Sequence, residues 1–327
     1  MADIGATNTR CALLDDKGRE VATELFENSD FTGVGGVLAI YLDHRRTSDR
    51  PTRAALAVAA PIAGDDVRMI NIGWQFSQSA LKAELGLKRL TVVNDFAAVA
   101  WALPHLEPTD VQQVGGGKSV PRATMATLGP GSGLGVSALV PANDAWAVMT
   151  GEGGHVAMAA ASREEQDVIA MLRDRFDGHC SAERVLSGPG LVNLYVTLAE
   201  LAGRGRPTVK PEDVTNLAKQ GEPLARKTLG IFFALLGTVA ADLAVTTGAR
   251  GGVYIGGGIV PRLATDLEKS EFRARFEAKG RFRSYMEATP AWIVTHPFAA
   301  LTGAAAMAQA LIAPPRAIAK TSGAAAE

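Results

Sequence analysis

The chain contains few cysteines, few aromatic residues and almost no net charge. Its two cysteines, Cys11 and Cys180, form no C-x-x-C motif and no Cys/His cluster with zinc spacing. This excludes a disulfide-stapled scaffold and indicates a reducing, cytoplasmic compartment. Thirty-three Lys and Arg residues balance 34 Asp and Glu residues, for a net charge of −1. The even balance lacks the basic footprint of a nucleic-acid-binding protein.

The chain also lacks a long uninterrupted hydrophobic run. Its first residues have neither the basic flank nor the apolar segment of a signal peptide. The longest apolar stretch runs from Ile231 to Val245 and is interrupted by Asp242, whereas a membrane helix needs about 20 apolar residues. We therefore predict a buried helix and no association with a membrane. A length of 327 residues is typical of about two domains.

What the chain does contain is one strand–turn–strand plan that occurs twice. Residues 2–14 read as a strand, a turn at Gly5–Asn8 and a returning strand. The same order recurs as Ala123–Leu128, Gly129–Gly135 and Val136–Val140. A repeated unit of this kind predicts a duplicated α/β domain that faces its copy across a cleft. Asp15–Gly18 predicts a hairpin turn, and Ala300–Ile312 predicts a final helix.

Three glycine segments are candidates for holding phosphate or nucleotide. Gly5–Asn8 and Gly131–Gly133 are turns whose backbone N–H groups could approach phosphate oxygens, with Thr7, Asn8 and Ser132 as added donors. Gly256–Gly258 ends a further strand and offers flat backbone to an adenosine. Each segment alone is more often an ordinary turn. Two turns at matching places in a repeated unit favour phosphate binding.

Two carboxylates lie next to these turns. Asp3 precedes the first turn, where it could meet a phosphate or a magnesium-bound water; the alternative is an Asp that bonds its own turn. Asp95 follows the apolar strand Leu90–Val93, and could accept a proton from an attacking hydroxyl. The alternative role for Asp95 is an N-cap of the helix predicted over Phe96–Leu103.

Further polar residues stand in glycine-rich surroundings that suit a ligand with many hydroxyls. Glu152 and His155 lie in Gly-Glu-Gly-Gly-His, and Glu183 lies in Ser-Ala-Glu-Arg-Val-Leu-Ser-Gly. Carboxylates accept from hydroxyl groups, and a neutral imidazole both donates and accepts. By contrast, Gly115–Ser119 only imitates a P-loop, because Gln112 replaces its first glycine and Pro121 follows instead of a helix. Leu134 likewise breaks a G-x-G-x-x-G dinucleotide motif.

In this order the segments resemble the glucokinases of the bacterial hexokinase-like family, in the actin-like ATPase superfamily. The likeness runs from Ala2 to about Gln309 and is most specific in Ser181–Tyr195. The absence of a cysteine-rich zinc motif favours the branch outside the ROK sugar kinases. The resemblance implies a two-domain α/β actin-like (ribonuclease H-like) fold. Its small domain would span 1–105 plus 300–327, and its large domain 106–299.

The resemblance also implies roles for individual residues. Asp95 would be the catalytic base of an ATP-dependent glucokinase, and Asp3 would hold Mg²⁺, through water or directly. The implied glucose contacts are Asn71, Asn94, Asp95, Glu152, His155 and Glu183. The implied nucleotide contacts are Ala2, Asp3, Ile4, Gly5, Ala6, Thr7, Asn8, Gly131, Ser132, Gly133, Gly256, Gly257 and Gly258. A homodimer with D-glucose and ATP as substrates is expected.

Two departures from the family pattern leave alternatives open. Only Met1 and Ala2 precede Asp3, so we expect a stub of a first strand that holds Asp3 poorly. Ile70 and Ile72 stand where the family has Thr and His, which predicts a more apolar wall of the sugar pocket. The alternatives are a kinase for another hexose or another phosphoryl donor, a sugar-responsive regulator, and an inactive sugar-binding protein.

Overall fold

The computed structural model describes residues 1–15, 19–45 and 50–310. Its first half forms a five-stranded mixed sheet with the strand order β3-β2-β1-β4-β7, and a separate two-stranded hairpin, β5-β6. The strands are β1 Ala2–Ile4, β2 Asn8–Leu14, β3 Glu20–Glu27, β4 Arg53–Val58, β5 Asp66–Met69, β6 Trp74–Ser77 and β7 Arg89–Asn94. The helices of this half are α1 Val34–Asp43, α2 Gln78–Glu84 and α3 Asp95–Ala102.

The second half forms a six-stranded sheet with the order β11-β10-β9-β12-β13-β8. Its strands are β8 Val111–Val114, β9 Met125–Pro130, β10 Leu134–Ala142, β11 Ala145–Thr150, β12 Gly252–Ile255 and β13 Ala291–Val294. The helices are α4 Arg163–Arg175, α5 Gly188–Leu201, α6 Pro211–Lys219, α7 Pro223–Thr247, α8 Ala264–Glu268, α9 Phe272–Glu277, α10 Arg283–Ala288 and α11 Ala299–Ala310.

The two sheets repeat one topology. In the first, β1 is antiparallel to β2 and parallel to β4, which is parallel to β7. In the second, β9 is antiparallel to β10 and parallel to β12, which is parallel to β13. The duplicated strand–turn–strand plan predicted from the sequence is therefore confirmed, and β8 is an addition to the second copy.

The long apolar helix is α7, and it lies inside the second core. Among the described residues it alone is long and apolar enough to cross a membrane, but 67% of its most apolar window is buried in the protein. Phe232, Leu235 and Leu236 are fully buried against helices and strands of the second sheet. The prediction of a buried helix is confirmed.

Several boundaries differ from the sequence prediction. The second turn is shorter than Gly129–Gly135, because the ladder between β9 and β10 continues to the pair Pro130–Leu134. The sequence also predicts a helix from Ile259 onward, whereas the chain first forms a 3-10 turn at Val260–Leu263 and then α8. The predicted hairpin turn at Asp15–Gly18 falls mostly outside the described residues, although β2 and β3 pair around it. The end of the helix predicted to Ile312 also lies outside them.

The last described helix returns to the first sheet. α11 packs against α3 and against β4. The approach is close, because a Cβ at Gly303 would overlap the Ala98 carbonyl of α3. Only glycine allows these two helix backbones to come so near. Thus α3, which begins with Asp95, is held on its far side by α11.

Candidate active site

The parallel strands of the first sheet bring the predicted acidic residues to one edge. β1, β4 and β7 run parallel, and Ile4, Val58 and Asn94 are successive partners in their ladders. Because carboxyl ends of parallel strands share an edge, Asp3 and Asp95 lie near each other at that edge. The charge of Asp3 is close enough to raise the pKa of Asp95.

Asp95 is placed at the first turn of α3 without serving as its cap. Asn94 is the cap instead, since its Oδ1 accepts hydrogen bonds from the backbone N–H groups of Phe96 (2.9 Å) and Ala97 (3.4 Å). Asn94 Nδ2 donates to the Ala60 carbonyl at 3.3 Å. The alternative role considered for Asp95, the N-cap, thus belongs to its neighbour. The Asp95 carboxylate accepts one bond from the Phe96 N–H at 2.9 Å.

Both acidic residues resist ionisation. Burial, and then the charge of Asp3, raises the pKa of Asp95 to about 6. Burial also raises the pKa of Asp3 to about 6, while the Arg10 guanidinium acts in the opposite direction. Arg10 is the cross-strand partner of Asp3 on β2, and its guanidinium lies 3.9 Å from the ring centroid of Phe298. A carboxylate with a pKa near 6 is a better proton acceptor than an ordinary Asp, yet is still mostly ionised at pH 7.

The first glycine turn is held by a residue that the sequence did not single out. The Gly5 N–H donates to the Asn8 carbonyl at 2.9 Å. Asn28, which is buried, donates from Nδ2 to the Gly5 carbonyl at 2.9 Å and accepts from Thr9 Oγ1 at 2.8 Å. The sequence gives little indication of this role, because Asn28 is distinguished only as a polar residue directly after the third strand.

The short first strand holds Asp3 better than we expected. β1 has three residues, as predicted, but it is central and pairs with β2 and β4 on both sides. Met1 extends the ladder, because its carbonyl accepts from the Ala12 N–H at 3.0 Å and its ammonium donates to the Ala12 carbonyl at 2.9 Å. Asp3 is therefore positioned by strands on either side and not by the turn alone.

The second glycine turn is held by Glu183. The Gly131 N–H donates to the Gly133 carbonyl at 2.8 Å, and the Gly131 carbonyl accepts from the Gly188 N–H at 2.8 Å. Glu183 Oε2 accepts from the Leu134 N–H at 2.9 Å, at the first residue of β10. Ser132 stands exposed at the tip of the turn. Glu183, which the resemblance assigned to glucose, thus also contacts the turn assigned to phosphate.

Gly256–Gly258 packs directly on the second turn. The Gly256 N–H donates to the Leu128 carbonyl at 2.9 Å, and the Ile259 N–H donates to the Pro130 carbonyl at 3.3 Å. Gly257 has a φ of +81°, and a Cβ there would overlap the Pro130 carbonyl oxygen. Two of the three segments predicted to bind nucleotide therefore form one continuous surface at the carboxyl ends of β9 and β12.

The two segments predicted to bind sugar lie side by side on β10. The Ala182 N–H donates to the Val156 carbonyl at 2.9 Å, and Ala157 and Ser181 form an antiparallel bridge. Gly154 packs on the Leu134 backbone, where a Cβ would not fit. The exposed side chains of Glu152 and His155 thus stand beside the Glu183 segment.

Asn71, which is also predicted to contact the sugar, lies on the β5–β6 hairpin. It is exposed at the tip of the β5–β6 hairpin. Ile72 and Trp74 of this hairpin line a cavity of about 380 Å³ together with Ala6 and Thr7 of the first turn. Ile72 therefore supplies an apolar wall, whereas the Ile70 side chain is 81% exposed. The hairpin stands next to the first turn.

Gly115–Ser119 does not form a P-loop. β8 precedes it, but the residues up to β9 contain no helix. The Lys118 N–H donates to the Ala288 carbonyl at 3.2 Å, which ties the segment to the end of α10. Gly115, with a φ of +76°, packs against the Arg273 side chain. The sequence interpretation of this segment as a loop is confirmed.

Comparison with known proteins agrees with this arrangement. The sequence model of a family described as Glucokinase matches residues 1–311. The chain is 45% identical over 309 residues to the glucokinase of Paramagnetospirillum magneticum, covering 94% of this chain and 96% of that protein. Similarity over nearly the full length of both proteins shows that the relationship is not confined to the glycine turns.

Solved structures show the same fold. The crystal structure of a glucokinase from an Antarctic psychrotroph superposes with a TM-score of 0.86 at 36% identity, covering 94% of this chain and 98% of the other. The glucokinase of Balamuthia mandrillaris, solved in complex with glucose, has a TM-score of 0.75 at 21% identity, with 94% and 92% coverage. The latter shows the fold alone.

Proposed function

The chain belongs to the glucokinase family, and we infer from this and from the geometry of the site that it transfers the γ-phosphoryl group of ATP to the 6-hydroxyl of D-glucose. The observation that carries the inference is Asp95. Its carboxylate lies at the edge of the first sheet with a pKa of about 6, and α3 places it against the hairpin that carries the second glycine turn. This position supports the proposal of a proton acceptor next to a turn that would bind phosphate.

We propose two groups of site residues, one for the sugar and one for the nucleotide. We propose that Glu152, His155 and Glu183, with Asn94 and Asn71, hold the sugar hydroxyls. The phosphates would lie between Gly5–Asn8 and Gly131–Gly133, with the adenosine on Gly256–Gly258. The backbone N–H groups of such turns can stabilise charge on the transferred group. Asp95 would accept the proton of the 6-hydroxyl as the hydroxyl oxygen attacks the γ-phosphorus and ADP leaves.

The acidic edge also fits a magnesium ion. Mg²⁺ prefers carboxylates and phosphate oxygens. Asp3 supplies a carboxylate, and the nearby Arg10 guanidinium partly offsets its charge. When bound with ATP, the ion would neutralise phosphate charge. Asp3 would orient it, directly or through water, while Asp95 remains free to accept the proton.

The domain boundaries, the oligomeric state and the cellular compartment are proposed from membership of the family. We propose a small domain of 1–105 plus 300–327 and a large domain of 106–299. The packing of α11 on α3 and β4 supports this division. So do the two largest apolar clusters, one around each sheet, and a third cluster joins Ala100 of α3 to Leu139 of β10 between them. We also propose a cytoplasmic homodimer. The two cysteines of the chain, Cys11 and Cys180, are both free and buried, as suits a reducing compartment.

The test is a coupled assay over a panel of hexoses with ATP and polyphosphate as donors, together with Asp95→Asn. The amide nearly preserves shape but cannot accept the proton, so kcat should fall by about 10²–10⁴-fold while glucose affinity by calorimetry is retained. In the wild type, kcat/KM should decline as pH falls below about 6, because Asp95 becomes protonated. An Asp95→Asn enzyme within about threefold of wild type would refute the base, since that is under ~1 kcal/mol of barrier.

A further inference from the structure

Phe96, the residue after Asp95, has no part in the proton or phosphoryl transfer described above, but its side chain packs closely on the second sheet. Its ring lies over Gly129 and Gly135, which are cross-strand partners in the ladder between β9 and β10. A Cβ at Gly129 would lie 2.5 Å from Phe96 Cζ, and a Cβ at Gly135 would overlap the ring. The ring therefore occupies the space that side chains at both positions would fill.

This contact joins the two halves of the active site. On one side, the Phe96 N–H donates to Asp95 Oδ1 and to Asn94 Oδ1, both at 2.9 Å. On the other, the Gly129–Gly135 pair adjoins the second glycine turn, one residue from the Leu134 N–H that donates to Glu183. A rigid planar group thus spans the gap between the carboxylate and the turn.

The close packing of the ring limits how far α3 can shift relative to the turn. Two glycines directly opposite each other leave a flat patch of backbone, and the ring fills it from the α3 side. On the opposite side of α3, the close contact between Gly303 and Ala98 prevents α3 from moving away from the second sheet. The start of α3 is held from both directions at once.

We propose that Phe96 is a positioning residue, which fixes the distance between the Asp95 carboxylate and the second phosphate turn by packing on the Gly129–Gly135 pair. This proposal rests on the assignment of Asp95 as the base. It states that the shape of the side chain at 96 affects turnover and not glucose binding. Misplacement of a reacting group by about 1 Å can cost about 10²-fold in rate.

The first experiment compares Phe96→Leu and Phe96→Ala with the wild type. We expect kcat to fall by about 10-fold for Leu and about 100-fold for Ala, with the glucose Kd changed by less than about threefold. The double variant Phe96→Ala/Asp95→Asn should be no slower than Asp95→Asn alone, because residues that act as a unit are not additive. If Asp95→Asn is inactive while Phe96→Ala turns over normally, the positioning role is wrong and the base assignment survives. If Asp95→Asn retains activity, the assignment of Asp95 as the base is wrong, and the positioning role that rests on it is wrong as well.

The second experiment approaches the same contact from β10. Gly135→Ala should lower the melting temperature and kcat, because its methyl overlaps the ring. Adding Phe96→Ala makes room for the methyl, so the double variant should melt higher than Gly135→Ala but keep a low kcat. Gly116→Ala, whose Cβ would meet nothing within 4 Å, is the matched control. A double variant that recovers both stability and kcat would overturn the proposal, since the ring would then matter only for folding.

Discussion

The two glycine-turn hairpins share a topology but differ in how they are supported. The first turn follows a three-residue strand, and its support is the neutral side chain of Asn28. The second follows a six-residue strand, and its support combines the Glu183 carboxylate with the packed glycine backbone of Gly256–Gly258. The second turn is therefore connected to a segment proposed to bind sugar, whereas the first is connected to its own sheet.

The hairpins also differ in charge. The sheet edge at the first turn carries two carboxylates, Asp3 and Asp95, whereas β9, β12 and β13 contain no charged residue. In the proposed mechanism, the first copy of the duplicated plan would supply the proton acceptor and the metal ligand. The second copy would supply backbone donors and a flat surface. Each copy would then contribute one wall of the same site.

The largest expected effect in this comparison comes from removing the side chains that support the two turns, Glu183 and Asn28. Glu183→Ala should raise KM for both glucose and ATP, because the carboxylate is a proposed sugar contact and also accepts a hydrogen bond from the Leu134 N–H of the second turn. Asn28→Ala should raise KM for ATP alone, because it leaves the Gly5 carbonyl and Thr9 hydroxyl without their partner. Each loss should cost about 1–3 kcal/mol, or about 5- to 150-fold. Steady-state kinetics in both substrates measure this.

His155→Ala is the companion to Glu183→Ala. It should raise KM for glucose and leave ATP use nearly unchanged, because His155 belongs to the neighbouring segment and has no hydrogen bond to the second turn among the described residues. If Glu183→Ala behaves like His155→Ala, the contact with Leu134 is incidental to catalysis. If both variants bind glucose normally, the sugar lies elsewhere.

The next effect concerns Asp3, whose charge at the edge of the first sheet should make stability depend on pH. A carboxyl group whose folded pKa is raised from 3.8 to about 6 destabilises the folded state once it is ionised. Stability should fall as pH rises from about 4 to about 6, because the folded state holds its proton longer. Asp3→Asn removes this cost and should stabilise the protein by about 1–3 kcal/mol at pH 7, with no gain below pH 4. Melting curves across this range test it, and equal curves for both proteins would contradict it.

A smaller effect is expected from lengthening β1 at its N-terminal end. A cavity of about 300 Å³ extends from Met1 between Leu13 of β2 and Ala54 of β4, and burial lowers the pKa of the Met1 ammonium. About five apolar residues added ahead of Met1 would lengthen β1 to a typical strand. The melting temperature should rise by several degrees, and affinity for ATP with Mg²⁺ should improve. A matched extension of Ser and Gly should give no gain, and equal melting of all three proteins would show that the short strand suffices.

The smallest effect is expected at Lys118. Lys118→Ala should leave KM for ATP unchanged within about twofold, because the Gly115–Ser119 loop is tied to α10 and lacks the helix of a P-loop. A P-loop lysine contacts the β- and γ-phosphates. A large rise in KM for ATP would therefore show that the nucleotide binds at the Gly115–Ser119 loop and not between the two hairpins.

The sequence by itself determined the repeated hairpin plan, the buried character of α7 and the family. These follow from local patterns, since glycine at a turn, apolar residues in a strand and a mostly apolar helical stretch are each visible within one short segment of chain. The positions of Asp3, Asp95, Gly131–Gly133 and Gly256–Gly258 at strand ends came from the same information.

Only the tertiary structure decided which of these groups meet and what supports them. Asn28 holds Gly5 across 23 residues, and Glu183 holds Leu134 across 49. Phe96 reaches Gly129 and Gly135 only because α3 packs on the second sheet. The raised pKa of Asp95 likewise needs the burial and the neighbouring Asp3 that folding provides. Contacts between distant segments depend on the packing of whole elements, which no short window of sequence encodes.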